Sequence, residues 1–131
     1  MEQVIDLSTA TPKEKAEEVI RILHKKLAKD IRWIDVSGVS EITDYYIIAS
    51  GRSTTHVKSL AGDMQFEAEK RKLPLHHLEG RDGGNWLLLD FGDLIVHVFD
   101  RETRAFYNIE RLYKEENFIS TEALTAEVEK E

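Results

Sequence analysis

Two apolar runs joined by one short turn signal occupy the sequence from Asn85 to Asp100. Leu, Ile, Val, Trp and Phe fill both runs, a composition typical of β-strands. Between the runs, Phe91-Gly92 can supply a tight reversal, because glycine readily takes the positive φ that such turns often need. We therefore predict a β-hairpin whose turn is flanked by Asp90 and Asp93.

The first arm of this hairpin carries large apolar side chains on both faces. Because successive strand residues point to opposite sides of a sheet, Trp86, Leu88 and Asp90 share one face and the intervening residues share the other. Helices can cover one side, and an exposed Trp beside carboxylates on the other side would outline a protein-binding surface. A buried Trp with ordinary turn aspartates is the alternative, since Trp is highly buried on average and Asp is common in turns.

Composition limits the class of protein. The 131 residues suit one domain with a sizeable core, and the absence of cysteine excludes disulfides, thiolate metal sites and cysteine nucleophiles. No apolar stretch approaches the length that spans a membrane, and the N-terminus lacks the basic-then-apolar order of a signal peptide. We expect a soluble cytoplasmic protein with no membrane partner.

The formal net charge of −7 argues against a dominant nucleic-acid interface, because nucleic-acid binders concentrate Lys and Arg to displace counterions. A basic partner is favoured instead. Part of the negative charge belongs to residues 115–131, an acidic C-terminal tail with little apolar content. We expect that tail either to be frayed or to form a short helix over residues 120–130, outside a domain of residues 1–114 whose core spans about 12–114.

The periodicity predicts the element order α-β-β-α-β-β-β-α, a mixed α/β sandwich with about five strands. Thr11 opens a capping box for a first helix over about residues 12–29, and Ser53 caps a second helix that ends before Pro74. The strands are expected at residues 31–36, 45–50 and 76–79 and in the two hairpin arms. After the hairpin, a closing helix should turn an apolar stripe toward the sheet: Phe106, Ile109, Leu112 and Tyr113.

A phosphate site is the strongest catalytic candidate, because residues 49–53 run from a strand through Gly and Ser into a helix N-terminus. The Lys of a P-loop and the three spaced glycines of a dinucleotide site are both missing. Nucleotidyl transfer would need neighbouring carboxylates to hold metal ions. A nucleotide- or metal-dependent transferase would have to use Gly51, Ser53, Asp90 and Asp93.

The five histidines do not form a metal-binding pattern. His76 and His77 are neighbours on a predicted strand and so point to opposite faces, and an H-x-x-x-H pair is absent. We expect neither a metal ion nor another cofactor.

Two segments, ITDYYIIASGRS at residues 42–53 and WLLLDFGDLIVHVF at residues 86–99, together closely resemble the ribosomal silencing factor family, also called Iojap. Residues 104–113 match the closing helix of that family, with Tyr113 where the family often has Trp. The resemblance covers about residues 13–113 and agrees in order, spacing and residue type.

The resemblance implies a repressor of translation and not an enzyme. Members of the family bind ribosomal protein L-fourteen on the large ribosomal subunit, at the face where the small subunit docks, and so block subunit joining when nutrients are scarce. It also implies a nucleotidyltransferase-like fold that lacks the catalytic carboxylates. We expect this chain to be a bacterial, cytoplasmic member.

Taken with the hairpin pattern, the resemblance suggests which residues meet the partner. Trp86 is the expected anchor beside Leu88, while Asp90, Asp93 and Asp82 are expected to pair with Arg or Lys at the rim. A scaffold that self-associates as a homodimer through the same apolar face is a further alternative, along with the transferase.

Overall fold

The computed structural model describes residues 4–80 and 83–130. Asp82, one of the expected rim residues, lies outside this described part. In chain order the elements are α1 (Pro12–Lys25), β1 (Lys29–Asp35), β2 (Tyr45–Gly51), α2 (Thr54–Lys70), β3 (His77–Glu79), β4 (Trp86–Asp90), β5 (Leu94–Asp100), α3 (Arg101–Tyr107), β6 (Phe118–Ile119) and α4 (Glu122–Glu129).

The strands form one mixed sheet in the order β3-β4-β5-β2-β1-β6. β2 runs parallel to β5, and the other neighbouring strands are antiparallel. The mixed α/β class is confirmed, with six strands in place of the expected five. The extra strand, β6, pairs with β1 through Trp33↔Ile119 and Ile34↔Phe118.

Both predicted helix starts are confirmed by their caps. The Thr11 side chain accepts a hydrogen bond from the Glu14 N–H at 3.2 Å, and the Glu14 carboxylate accepts one from the Thr11 N–H at 2.9 Å. The Ser53 hydroxyl likewise accepts from the His56 N–H at 3.1 Å. Helix α1 ends earlier than predicted, because Leu27 takes a left-handed φ of 70° that an α-helix cannot continue through.

Helices α1 and α2 pack on one face of the sheet and enclose the main core. The opposite face carries a smaller core of Ile34, Val36, Ile48 and Phe99. The chain after β5 covers part of that second face. The sheet therefore has one fully covered face and one partly covered face, and the partly covered face carries the candidate site.

Of the four residues predicted to form the apolar stripe of the closing helix, only two pack against the sheet. Helix α3 ends at Tyr107, and Asn108 takes a left-handed φ of 41°. A short 3-10 turn over Ile109–Leu112 follows, so the 3.6-residue period is broken. Ile109 and Tyr113 pack on the smaller core, whereas Phe106 and Leu112 are 81% and 68% exposed.

Residues 115–130 contain regular secondary structure. Besides β6, the tail contains α4, which packs on α1 and places Leu124, 8% exposed, in the main core. The short helix, one of the two outcomes expected for this segment, is the one observed. Among the described residues, none of the helices has both the length and the apolar character needed to span a bilayer.

Candidate protein-binding surface

The predicted hairpin is confirmed, and its register follows from its turn. β4 and β5 pair through Asp90↔Ile95, Leu88↔His97 and Trp86↔Phe99. The Phe91 N–H donates to the Leu94 carbonyl at 2.9 Å, and Gly92 between them has a φ of +91°. Glycine is favoured there because a Cβ is strained at that φ.

Alternation along β4 sorts the side chains as predicted. Leu87 and Leu89 are buried in the main core under the helices. Trp86, Leu88 and Asp90 are half-buried on the partly covered face of the sheet. We call the surface formed by these three residues the hairpin face. It combines two apolar side chains with one carboxylate, and all three retain some exposure to solvent.

Trp86 is held in place by aromatic neighbours. Its ring stacks on Phe99 with centroids 4.7 Å apart, and Tyr107 from the end of α3 lies 5.0 Å away. The indole N–H donates a hydrogen bond to His97 Nδ1 at 3.1 Å. A half-buried Trp with a fixed ring and a satisfied N–H is preorganised, so that little further side-chain entropy is lost on binding.

His97 supports Trp86 from the centre of this face. It is 5% exposed, and burial lowers the pKa of its imidazole to about 4. The ring is therefore neutral at pH 7. Because Nδ1 accepts from Trp86, the proton belongs on Nε2, which has no hydrogen-bond partner among the described residues. The Tyr46 ring packs edge-on against His97 at 4.7 Å.

His97 was not predicted as a functional residue from the sequence. The hairpin register could have identified it, because pairing across the turn places residue 97 opposite residue 88, on the same side of the sheet as Trp86.

Tyr113, which stands where the family often has Trp, packs on the same side of the sheet. Its ring lies 5.8 Å from that of Tyr46, and burial together with Tyr46 raises the pKa of Tyr113 to about 12.

The two turn aspartates point to different surroundings. One carboxylate oxygen of Asp90 accepts from the Gly92 N–H at 2.7 Å, so Asp90 has an ordinary turn role besides its place on the hairpin face. Asp93 instead forms an ion pair with Lys15 of α1 at 3.2 Å. The structure thus brings Trp86, Leu88 and Asp90 together, while Asp93 is tied to the helix layer.

The four residues that a transferase would need do not converge. β2 and β5 are parallel, with Tyr45 beside Leu94 and Gly51 beside Asp100. Gly51 and Ser53 therefore lie about 20 Å along the sheet from the turn that holds Asp90 and Asp93. A Cβ at Gly51 would come within 2.9 Å of the Val57 backbone nitrogen, so Gly51 itself is packed against the first turn of α2.

The histidines and carboxylates do not gather into a metal site in the described part of the chain. Within residues 4–80 and 83–130, no three such side chains are placed so that they could hold a metal ion together.

Comparison with known proteins identifies the family. The family model described as "Ribosomal silencing factor during starvation" matches residues 9–131. Ribosomal silencing factor RsfS of Bacillus subtilis is 36% identical over 88 residues, which are 67% of this chain and 75% of that protein.

A mammalian protein and a solved bacterial structure are also similar to this chain. The mouse protein named "Mitochondrial assembly of ribosomal large subunit protein 1" is 33% identical over 103 residues, covering 76% of this chain and 45% of that one. A crystal structure of a Chromobacterium violaceum protein superposes with a TM-score of 0.76 at 32% identity, covering 79% of this chain and 86% of that one. The chain therefore belongs to the ribosomal silencing factor family, as the motifs at residues 42–53 and 86–99 predicted.

Proposed function

We propose that this protein represses translation under nutrient limitation by binding the large ribosomal subunit through ribosomal protein L-fourteen, where it blocks joining of the small subunit. The hairpin face is the observation that carries the proposal. Trp86 and Leu88 offer an apolar centre that is accessible, and Asp90 offers a carboxylate at its edge. Family membership supports the proposal, since relatives bear the name ribosomal silencing factor.

Trp86 is the proposed anchor. Trp is enriched among residues that dominate binding energy, and the contacts with Phe99, Tyr107 and His97 hold its ring in one orientation before the partner arrives. Truncating such an anchor costs about 2 kcal/mol or more, which is roughly a thirtyfold loss of affinity.

Charge supports the choice of a basic ribosomal protein as partner. The net charge is −7, and Asp35, Asp44, Asp90 and Asp93 all lie at the end of the sheet that holds the hairpin turn. Negative potential at this end would steer the protein toward a basic surface, an effect expected mainly on the association rate. Asp82 is retained as a proposed rim residue on sequence grounds alone.

Co-sedimentation with separated ribosomal subunits tests the proposal. We expect selective binding to the large subunit, reduced joining of the small subunit in the same gradient, and roughly thirtyfold weaker binding by Trp86→Ala. Phe66→Ala is the matched control, because Phe66 is an exposed aromatic residue on α2, on the opposite side of the sheet. We expect it to bind like the wild type.

Three outcomes would count against the proposal. Failure of the wild-type chain to bind large subunits would overturn the function. Equal binding by Trp86→Ala and wild type would remove the hairpin face as the interface. A homodimer that persists in sedimentation velocity and never exchanges for large subunits would instead favour the self-associating scaffold.

A further inference from the structure

Four basic residues that make no ion pair within the described part of the chain gather at the end of the sheet opposite the hairpin turn. Arg52 follows the end of β2, and Arg101 follows the end of the parallel strand β5. Lys29 begins β1 opposite Ser50, and Lys58 lies against the loop before β4, within reach of Gly84. We call these four residues the basic end. The basic end lies across the sheet from Asp90 and Asp93, in a chain whose net charge is −7.

All four residues are exposed, and none makes an ion pair with any residue of the ranges 4–80 and 83–130. Several basic residues elsewhere are paired, among them Lys15 with Asp93 and Arg71 with Glu18. In a chain with 25 acidic and 18 basic residues, these four cations outnumber the two carboxylates, Asp100 and Glu102, that line the groove at this end, and such an excess of positive charge can attract an anion.

A groove of about 610 Å³ lies within the basic end. Arg52 and Arg101 line it together with the hydroxyl residues Ser53 and Thr54. Arg is suited to phosphate because its planar guanidinium can donate two hydrogen bonds to phosphate oxygens, and hydroxyl groups are common phosphate donors. Asp100 and Glu102 also line the groove, and their carboxylates oppose an anion there.

The groove adjoins the proposed protein interface. The Asp100 N–H donates to the Asn85 carbonyl at 3.0 Å, so the residue before Trp86 is bonded to the residue before Arg101. When a partner covers Trp86, the molecules that surround that partner therefore lie next to the groove. A ribosomal protein at the subunit surface is surrounded by ribosomal RNA, so phosphodiester groups are the anions expected next to the groove.

We propose that the basic end contacts the phosphodiester backbone of ribosomal RNA while the hairpin face contacts the ribosomal protein. This inference rests on the proposed function and adds a second kind of contact to it. The phosphate contacts carry little sequence preference and fix the orientation of the protein on the subunit.

The salt dependence of binding tests the RNA contact. The affinity of wild type for purified large subunits is compared with that of Arg52→Gln/Lys58→Gln/Arg101→Gln across a range of monovalent salt at fixed magnesium. Each lost phosphate contact lowers the slope of log affinity against log salt by about 0.7 to 0.9, so we expect the slope of the triple variant to be smaller by about two to three. Thermal unfolding shows whether the variant folds like the wild type.

A matched control separates this effect from total charge. Lys13→Gln/Lys114→Gln/Lys130→Gln removes three exposed lysines that make no ion pair among the described residues and lie outside the basic end. It should keep the wild-type slope. An unchanged slope in the Arg52/Lys58/Arg101 variant, or an equal change in the control, would overturn the inference.

Photo-crosslinking identifies the class of macromolecule at the groove. A photoreactive amino acid in place of Ala105, which is exposed and lines the groove, should crosslink to ribosomal RNA. The same amino acid in place of Phe66 should not. Crosslinks from position 105 to ribosomal proteins alone would overturn the RNA contact. If the wild-type protein does not bind large subunits at all, the proposed function itself is wrong. If the protein binds and blocks joining but neither the salt test nor the crosslinking test gives the expected result, only the RNA contact is wrong.

Discussion

The Trp86 indole N–H donates a hydrogen bond to His97 Nδ1 at 3.1 Å, across the antiparallel pair of β4 and β5. This bond requires a neutral imidazole with an unprotonated Nδ1. Burial supplies that state, because it lowers the pKa of His97 to about 4. The orientation of the proposed anchor is therefore coupled to the protonation of a buried histidine.

We predict that His97 makes folding stability depend on pH in the acidic range. Its pKa is about 6.5 in the unfolded chain and about 4 in the folded protein, so the unfolded chain binds the extra proton between these values. The stabilisation from His97 is complete above pH 6.5 and is lost as the pH falls toward 4. A difference of this size corresponds to about 3 kcal/mol.

Urea unfolding of wild type and His97→Gln between about pH 7 and pH 4 measures this dependence. Gln keeps an oxygen that can accept from Trp86 but does not titrate. The stability difference between the two proteins should shrink as the pH falls. Parallel stability curves would contradict the assignment of a depressed pKa to His97.

A buried ion-pair cluster at the end of α2 should contribute strongly to stability. Arg71 is 6% exposed and donates to Glu18 and to Glu67, each at 2.7 Å. Arg71→Met leaves the buried Glu18 carboxylate with only the 3.2 Å hydrogen bond from Arg21, and this loss should cost about 3 kcal/mol in the free energy of unfolding.

Two further variants check this prediction by denaturant unfolding. Lys72→Met removes an exposed lysine next in sequence and should cost less than about 0.5 kcal/mol, because exposed ion pairs contribute little. Adding Glu18→Gln to Arg71→Met should recover part of the lost free energy of unfolding. If the double variant loses more free energy of unfolding than the two single variants do together, the explanation is contradicted.

Docking of α4 should make the C-terminal segment part of the cooperative fold. Leu124 is packed in the main core, so Leu124→Ala should lower the free energy of unfolding by about 2 kcal/mol. Ala126→Ser, an exposed change on the same helix, should cost less than about 0.5 kcal/mol, because only helix propensity changes. Calorimetry of both variants checks this. Equal stability in the two would mean that residues 115–131 behave as a tail apart from the domain of residues 1–114.

Asp90 should affect how fast the protein meets its partner. Asp90→Asn removes the charge yet keeps an oxygen to accept from the Gly92 N–H, so the turn should persist. We expect association with large subunits to slow severalfold at low salt and to match wild type at high salt, because salt screens steering. Stopped-flow mixing measures the rates, with Glu69→Gln on α2 as the control. Equal slowing by both variants would show a general charge effect.

The hairpin and its alternation were predictable because they are local. Alternating strand residues must face opposite sides, which separates Trp86 and Leu88 from Leu87 and Leu89 by their sequence positions alone. Capping at Thr11 and Ser53 was predictable for the same reason, since each cap bonds to a backbone N–H three residues away. The apolar stripe predicted for the closing helix was wrong after Tyr107, because Asn108 adopts a left-handed conformation and ends the α-helix there.

The sequence by itself determined the mixed α/β class, the hairpin and the family, because these depend on periodicity and on motifs that are continuous along the chain. Only the tertiary structure decided which distant residues meet. It placed His97 beneath Trp86, tied Asp93 to Lys15, and put Gly51 and Asp90 at opposite ends of the sheet. It also revealed the basic end within an acidic protein. Net charge is a sum over the chain, whereas the potential that a partner meets depends on where strand order and direction set each charge.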